Sequence, residues 1–111
     1  MKLLRYGNPG FELPGALDSD GNIRDLSGLV SDIDGDSLAS ITVQDIDLSG
    51  LPIVADVSRL GPCVGKVGKF ICIGLNYVDH ARESGMTLPD EPEVFTKATS
   101  SISGPNDDII K

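Results

Sequence analysis

The sequence predicts a small, strand-rich α+β chain. Three observations carry this: short Val, Ile and Leu runs cut by Gly, Pro and Asp-Gly turns, a 5% aromatic content with no Trp, and one strand–helix–strand pattern beginning near residue 69. With so few large rings, branched aliphatic side chains must fill the core, and these suit pleated strands. The 111 residues, 40% hydrophobic and 23% charged, fit one domain or a small domain plus a piece of a second.

Charge and patterning exclude several roles. Seventeen Asp and Glu against nine Lys and Arg give 9 − 17 = −8, which opposes the phosphate neutralisation on which nucleic-acid binding begins. Anionic membrane surfaces are disfavoured for the same reason. The longest apolar stretch, Phe70 to Leu75, is far short of the roughly 18 to 20 residues needed to cross a bilayer. Met1 to Gly7 breaks off before any apolar segment of a secretory signal, so the cytoplasm is the expected compartment. Cys63 and Cys72, nine positions apart, match no zinc or redox spacing, and Cys72 reads as a core filler.

Lys2 to Tyr6 predicts a strand, Gly7-Asn8-Pro9-Gly10 a turn, and Phe11 to Leu17 a second strand that Pro14 demotes toward an edge. Asp18-Ser19-Asp20-Gly21-Asn22 supplies hairpin chemistry before a third strand, Ile23 to Leu26. Between Ser27 and Gly50 the apolar positions follow no clean period, giving short helical turns near 27–31 and 37–46. Leu51 to Gly61 looks extended and linker-like, so a boundary is placed near residue 62, dividing the chain into 1–62 and 63–111. Lys69 to Leu75, an apolar run bounded by glycines, predicts a buried strand. A short helix follows, with Asn76 as N-cap, Asp79 at N3 and Gly85 as terminator, and Glu93 to Lys97 alternates as a strand. The tail from Ser100 is turn-rich, and Ile109-Ile110-Lys111 reads as an element cut short.

Two segments imitate calcium loops, Asp18 to Asn22 and Asp32 to Asp36. Counted from Asp18 or Asp32, position 6 holds Ile23 or Ser37 where glycine is needed, and position 12 holds Leu29 or Val43 in place of the bidentate Glu. Both read as aspartate–glycine turns. Gly61-Pro62-Cys63-Val64-Gly65-Lys66 is one residue short of a phosphate loop, lacks its Ser or Thr, and precedes a strand.

The informative pair is His80 with Glu83. Three apart on a helix they share a face, so the carboxylate can reach the imidazole, orient it and raise its basicity, which is the chemistry of a general-base dyad. Alone, such a pair equally describes a solvated helix surface. Lys97, on the next strand, can supply a cation for a carboxylate or an oxyanion, or be an exposed strand lysine. Asn106-Asp107-Asp108 reads as a turn.

Three blocks in order, Phe70-Ile71-Cys72-Ile73-Gly74-Leu75-Asn76-Tyr77-Val78-Asp79-His80-Ala81-Arg82-Glu83, Glu91 to Ser101, and Ser103-Gly104-Pro105-Asn106-Asp107, resemble the opening of the catalytic domain of the fumarylacetoacetate hydrolase family. The similarity is to the bacterial branch often labelled ureidoglycolate lyase or 2,4-diketo-3-deoxy-sugar-acid hydrolase. Lys2 to Gly7, Asp18 to Leu26 and Arg59 to Gly65 are similar to that branch's small N-terminal domain. The resemblance implies a mixed β-roll, a Mg²⁺ or Mn²⁺ ion held by carboxylates, a keto or diketo acid substrate and a homodimer when intact. His80 and Glu83 fall on the family's water-activating dyad, and Lys97 on a lysine in the same block. C–N cleavage of ureidoglycolate and oxaloacetate decarboxylation stay open. The family's metal-binding Glu-x-Glu pair and later Asp lie beyond the Gly-Pro-x-Asp region, so these 111 residues are expected to hold no metal tightly and to be inactive as given. The competing class is a non-catalytic binding or assembly module.

Overall fold

A computed structural model describes residues 2–40 and 46–110. The element order is β1 (Lys2–Tyr6), β2 (Leu13–Leu17), β3 (Ile23–Asp25), α1 (Gly35–Ser40), β4 (Phe70–Gly74), α2 (Val78–Glu83) and β5 (Glu93–Lys97), a strand-rich α+β arrangement as the sequence predicts. The chain divides into two compact units, one made of Met1–Val67 with Ile102–Lys111, the other of Gly68–Ser101.

In the first unit β1, β2 and β3 form an antiparallel sheet in that order. β2 is therefore the central strand, not the edge that Pro14 suggested. The reason lies in the register. Leu26 donates to the Pro14 carbonyl at 3.0 Å, and N and O of one extended residue point the same way. Pro14's missing N–H thus faces the last rung, beyond the end of β3, and costs the β1 ladder nothing. The β2–β3 hairpin closes as expected, with Asp18 Oδ1 accepting from the amides of Asp20 and Asn22 and Gly21 at φ +85°.

Leu51 to Gly61 is a strap rather than a linker. The amides of Gly7 and Gly61 donate to Arg59 and Arg5, beside β1, while Asp25 donates to Pro52 and Val54 to Ile23, beside β3. Both open sheet edges are thereby covered, which removes sites for unwanted strand pairing. Ala16, Leu26, Ile33 and Pro14 are fully buried beneath the sheet's connections. Removing Leu26's side chain atoms would leave a cavity costing about 2–5 kcal/mol.

α1 begins with a reciprocal cap. The Ser37 amide donates to Asp34 Oδ1 at 3.0 Å and the Asp34 amide donates to Ser37 Oγ at 2.9 Å. The turn expected near 27–31 is present, closed by Leu29 and Val30 donating to Leu26. Of the second helical stretch read from the sequence, residues 41–45 lie outside the described residues.

The acidic turns serve structure. The Arg24 hydrogen bond, aided by Asn22, holds the Asp18 carboxyl down at about 2. Lys66, at 2.6 Å, and the Ser37 amide do the same for Asp34, also about 2. A carboxyl depressed in the folded state adds stability above the ordinary value near 3.9 and surrenders it as pH falls toward the folded value. The first unit is therefore expected to weaken progressively between about pH 4 and pH 2. Carboxyl ¹³C titration checks this: a midpoint near 2 for Asp18 is expected, and one near 4 would contradict the pairing.

Candidate active site

The second unit is built around β4 and β5, paired antiparallel with Gly74 opposite Glu93 and Phe70 opposite Lys97. β4 forms where predicted but is not a buried strand. Ile71 and Ile73 are exposed, as is Val94, which lies opposite Ile73. Cys72 is half-buried. Among the described residues the unit buries only Leu75 and Ala81 as apolar core, because a two-stranded sheet with a six-residue helix offers few surfaces to close against.

The chain turns from β4 into α2 at Leu75, whose φ of +47° is unusual for a bulky side chain. Its burial anchors that conformation in place. The helix N-cap is Tyr77, not Asn76, and no side chain caps it; the first turn closes through the Ala81 amide on the Tyr77 carbonyl. Asp79 consequently sits at the second helical position. The far end matches expectation more closely. Gly85 takes φ +66°, and the amides of Met86 and Gly85 donate to Ala81 and Arg82, a Schellman closure.

α2 carries His80 and Glu83 one turn apart, with Ala81 turned inward and both candidate side chains exposed. Their spacing puts them on one face. No hydrogen bond links them, and the helix's side-chain pairing is instead Arg82 with Asp79 at 3.3 Å, exposed and weak. A hollow of about 320 Å³ lies among Ile73, Leu75, Val78, Leu88 and Glu91, reaching the first residue of α2 but not His80 or Glu83.

Lys97 is exposed at the Phe70 rung. The chain leaves for α2 from the Gly74 rung, four residues and about 13 Å along the ladder. The strand register thus does not bring Lys97 to the helix exit. Glu93 occupies that rung instead, its side chain lying over Gly74, where an added Cβ would come within 3.3 Å of Oε2. Sequence reading passed over Glu93, since only the register distinguishes it from its acidic neighbours.

Among the described residues no three His, Cys, Asp or Glu side chains converge as metal ligands. The resemblance to calcium loops dissolves in the same way: Asp18, Asp32 and Asp34 are spent on Arg24, Arg5 and Lys66. The phosphate-loop likeness fails on packing. A Cβ at Gly65 would collide with the Asp32 carboxylate and touch the Arg5 guanidinium, so this glycine admits an internal ion pair, not a ligand. No helix among the described residues is long and apolar enough to cross a membrane.

Residues 69–111, which contain β4, α2 and β5, match the family described as Fumarylacetoacetate (FAA) hydrolase C-terminal. The chain is 59% identical over 112 residues to a protein of Burkholderia multivorans named Putative hydrolase, covering 98% of this chain and 40% of that one. It is 60% identical to a Putative hydrolase of Burkholderia ambifaria and 58% to one of Burkholderia cenocepacia, with the same coverage. The chain therefore spans about 40% of the length of the curated relatives it matches. The similarity to the fumarylacetoacetate hydrolase family thus rests on residues 69–111, and the relatives are named as hydrolases without a family.

Proposed function

We propose that this sequence forms the N-terminal part of a hydrolase that cleaves a C–C bond in a 2,4-diketo acid, with His80 as general base and Glu83 as its orienting carboxylate. The observation that carries the reading is their placement on one exposed face of α2, directly after the β4 exit, within residues that match the family. Loops and short helices at strand ends commonly frame reaction clefts.

His80 takes a proton from water, and the resulting hydroxide adds to the distal keto carbon. The bond between that carbon and the methylene collapses, its electron pair passing into the enolate of the 2-keto acid. The imidazolium then returns the proton to the methylene carbon, so one water is consumed and a carboxylic acid and a 2-keto acid leave. Glu83 holds the ring and balances its transient charge. Lys97 has no ion pair among the described residues and its charge suits a substrate carboxylate, while the register sets it at the rung farthest from the helix exit.

The reading also includes Mg²⁺ or Mn²⁺, which would stabilise the enolate charge. Among the described residues no ligand cluster fits such an ion. The test is product analysis with this sequence carried at the length of its relatives. An acylpyruvate should yield a carboxylic acid plus pyruvate. Turnover of ureidoglycolate or oxaloacetate with the acylpyruvate left intact would overturn the C–C hydrolase reading in favour of C–N lyase or decarboxylase chemistry.

A further inference from the structure

The family match begins at residue 69, yet the stretch Ile102–Lys111 clusters with the first unit, not with the strands and helix that precede it. Along the chain, residues 68–101 are therefore an excursion whose two ends both return to the first unit. All three candidate site residues lie on that excursion.

The return is held by one side chain. Arg59 donates through Nε to Asp107 Oδ1 at 2.7 Å and through Nη2 to Oδ2 at 2.6 Å, a bidentate pair. Its remaining nitrogen donates to the Gly7 carbonyl and to Glu12 Oε1, both at 2.9 Å. Glu12 meets Arg5 at 3.6 Å, and Arg5 grips Asp32 at 2.6 Å. The side chains in this series are at most 23% exposed. Asp107 closes the turn as well, accepting from the Gly104 amide at 2.7 Å, and Gly104 packs so tightly on the Leu60 carbonyl that only glycine fits. The hydrogen bond that Arg59 donates to Asp107 holds the guanidinium above its ordinary value, and the same guanidinium holds Asp107 below its own.

We propose that Arg59 and Asp107 form a latch that closes the 68–101 excursion at its base, fixing where the chain re-enters the first unit. Closing a segment at both ends removes much of the conformational freedom it has when tied at one end only. A bidentate, charge-assisted pair held among further partners is suited to that duty, whereas an exposed single pair is not. The latch is separate from the proposed chemistry and stands whether or not His80 acts as a base.

Asp107→Asn tests it on the 111-residue chain. The amide oxygen can still accept from Gly104, so the turn itself is kept while the charged fork with Arg59 is lost. Native-state hydrogen exchange should quicken about ten- to a hundredfold at the amides of Gly104 and Asp107, with Leu4 and Leu17, which face each other's strands in the β1–β2 ladder, changing less than about threefold. Arg59→Lys should act alike, since a lysine cannot span both carboxylate oxygens. Unchanged exchange at Gly104, or an equal rise at Leu4 and Leu17, would overturn the latch. A measurement on the unaltered chain guards against misfolded variants. In rising urea the Gly104 amide should open together with β1 and β2 rather than at the faster rate of an unconstrained turn, and exchange at that faster rate would also overturn it.

Discussion

Replacing His80 with Ala, in this sequence carried at the length of its relatives, is expected to lower turnover of an acylpyruvate by about 10²- to 10⁴-fold. The magnitude is that of losing a positioned general base, since water must then attack without a group to receive its proton. Folding should be spared. The His80 side chain is exposed on α2 and makes no hydrogen bond among the described residues, so its removal leaves no cavity and no stranded partner. Glu83→Gln should cost less, because the base survives and only its orientation and charge balance suffer. Steady-state rates with matched circular dichroism check both. A His80→Ala protein as fast as the parent would mean that the imidazole is merely part of a solvated helix surface.

Gly104→Ala should be the most damaging single-methyl change in the first unit. The added Cβ would run into the Leu60 carbonyl oxygen, a backbone atom that cannot swing aside, and would crowd the Asp107 carboxylate as well. Relief requires moving the strap or opening the turn, and overpacking of this kind costs about 2–3 kcal/mol. Thermal unfolding should fall by about 10 °C or more. Gly28→Ala is the control: nothing lies within 4 Å of its ideal Cβ, so little change is expected. Equal melting temperatures for the two variants would show that the Gly104 turn is not clamped as described.

What the sequence made legible was local. The Asp18–Asn22 hairpin and the Gly85 helix stop each depend on residues within one turn of one another, the β4, α2 and β5 segments each on their own local pattern, and each formed. What it hid was long-range. Pro14 looked like an edge residue because its cost depends on where β3 ends, which no local pattern states. Leu51 to Gly61 looked like a linker because its hydrogen bonds go to residues near 5 and 25. Likewise the pairing of Arg59 with Glu12 and Asp107 gave no signal, the partners being separated by 47 and 48 positions. β4 looked buried because its apolar run reflects what a strand can pack against, not what the 111 residues supply: Ile71 and Ile73 stay uncovered.

The candidate site follows the same division. Helical spacing was enough to place His80 and Glu83 on one face of α2, and the structure keeps them there, one turn apart. The relation of Lys97 to that helix depends on strand register, which sets it at the rung farthest from the exit and puts Glu93 at the nearest.

A kinetic cycle on His80→Ala, Glu83→Gln and the double variant, measured as kcat/KM for an acylpyruvate, bears most directly on the dyad. Residues that act as one unit are strongly non-additive. The double variant should therefore be no slower than His80→Ala alone. Losses that simply multiply would contradict the account, showing that the two side chains act independently.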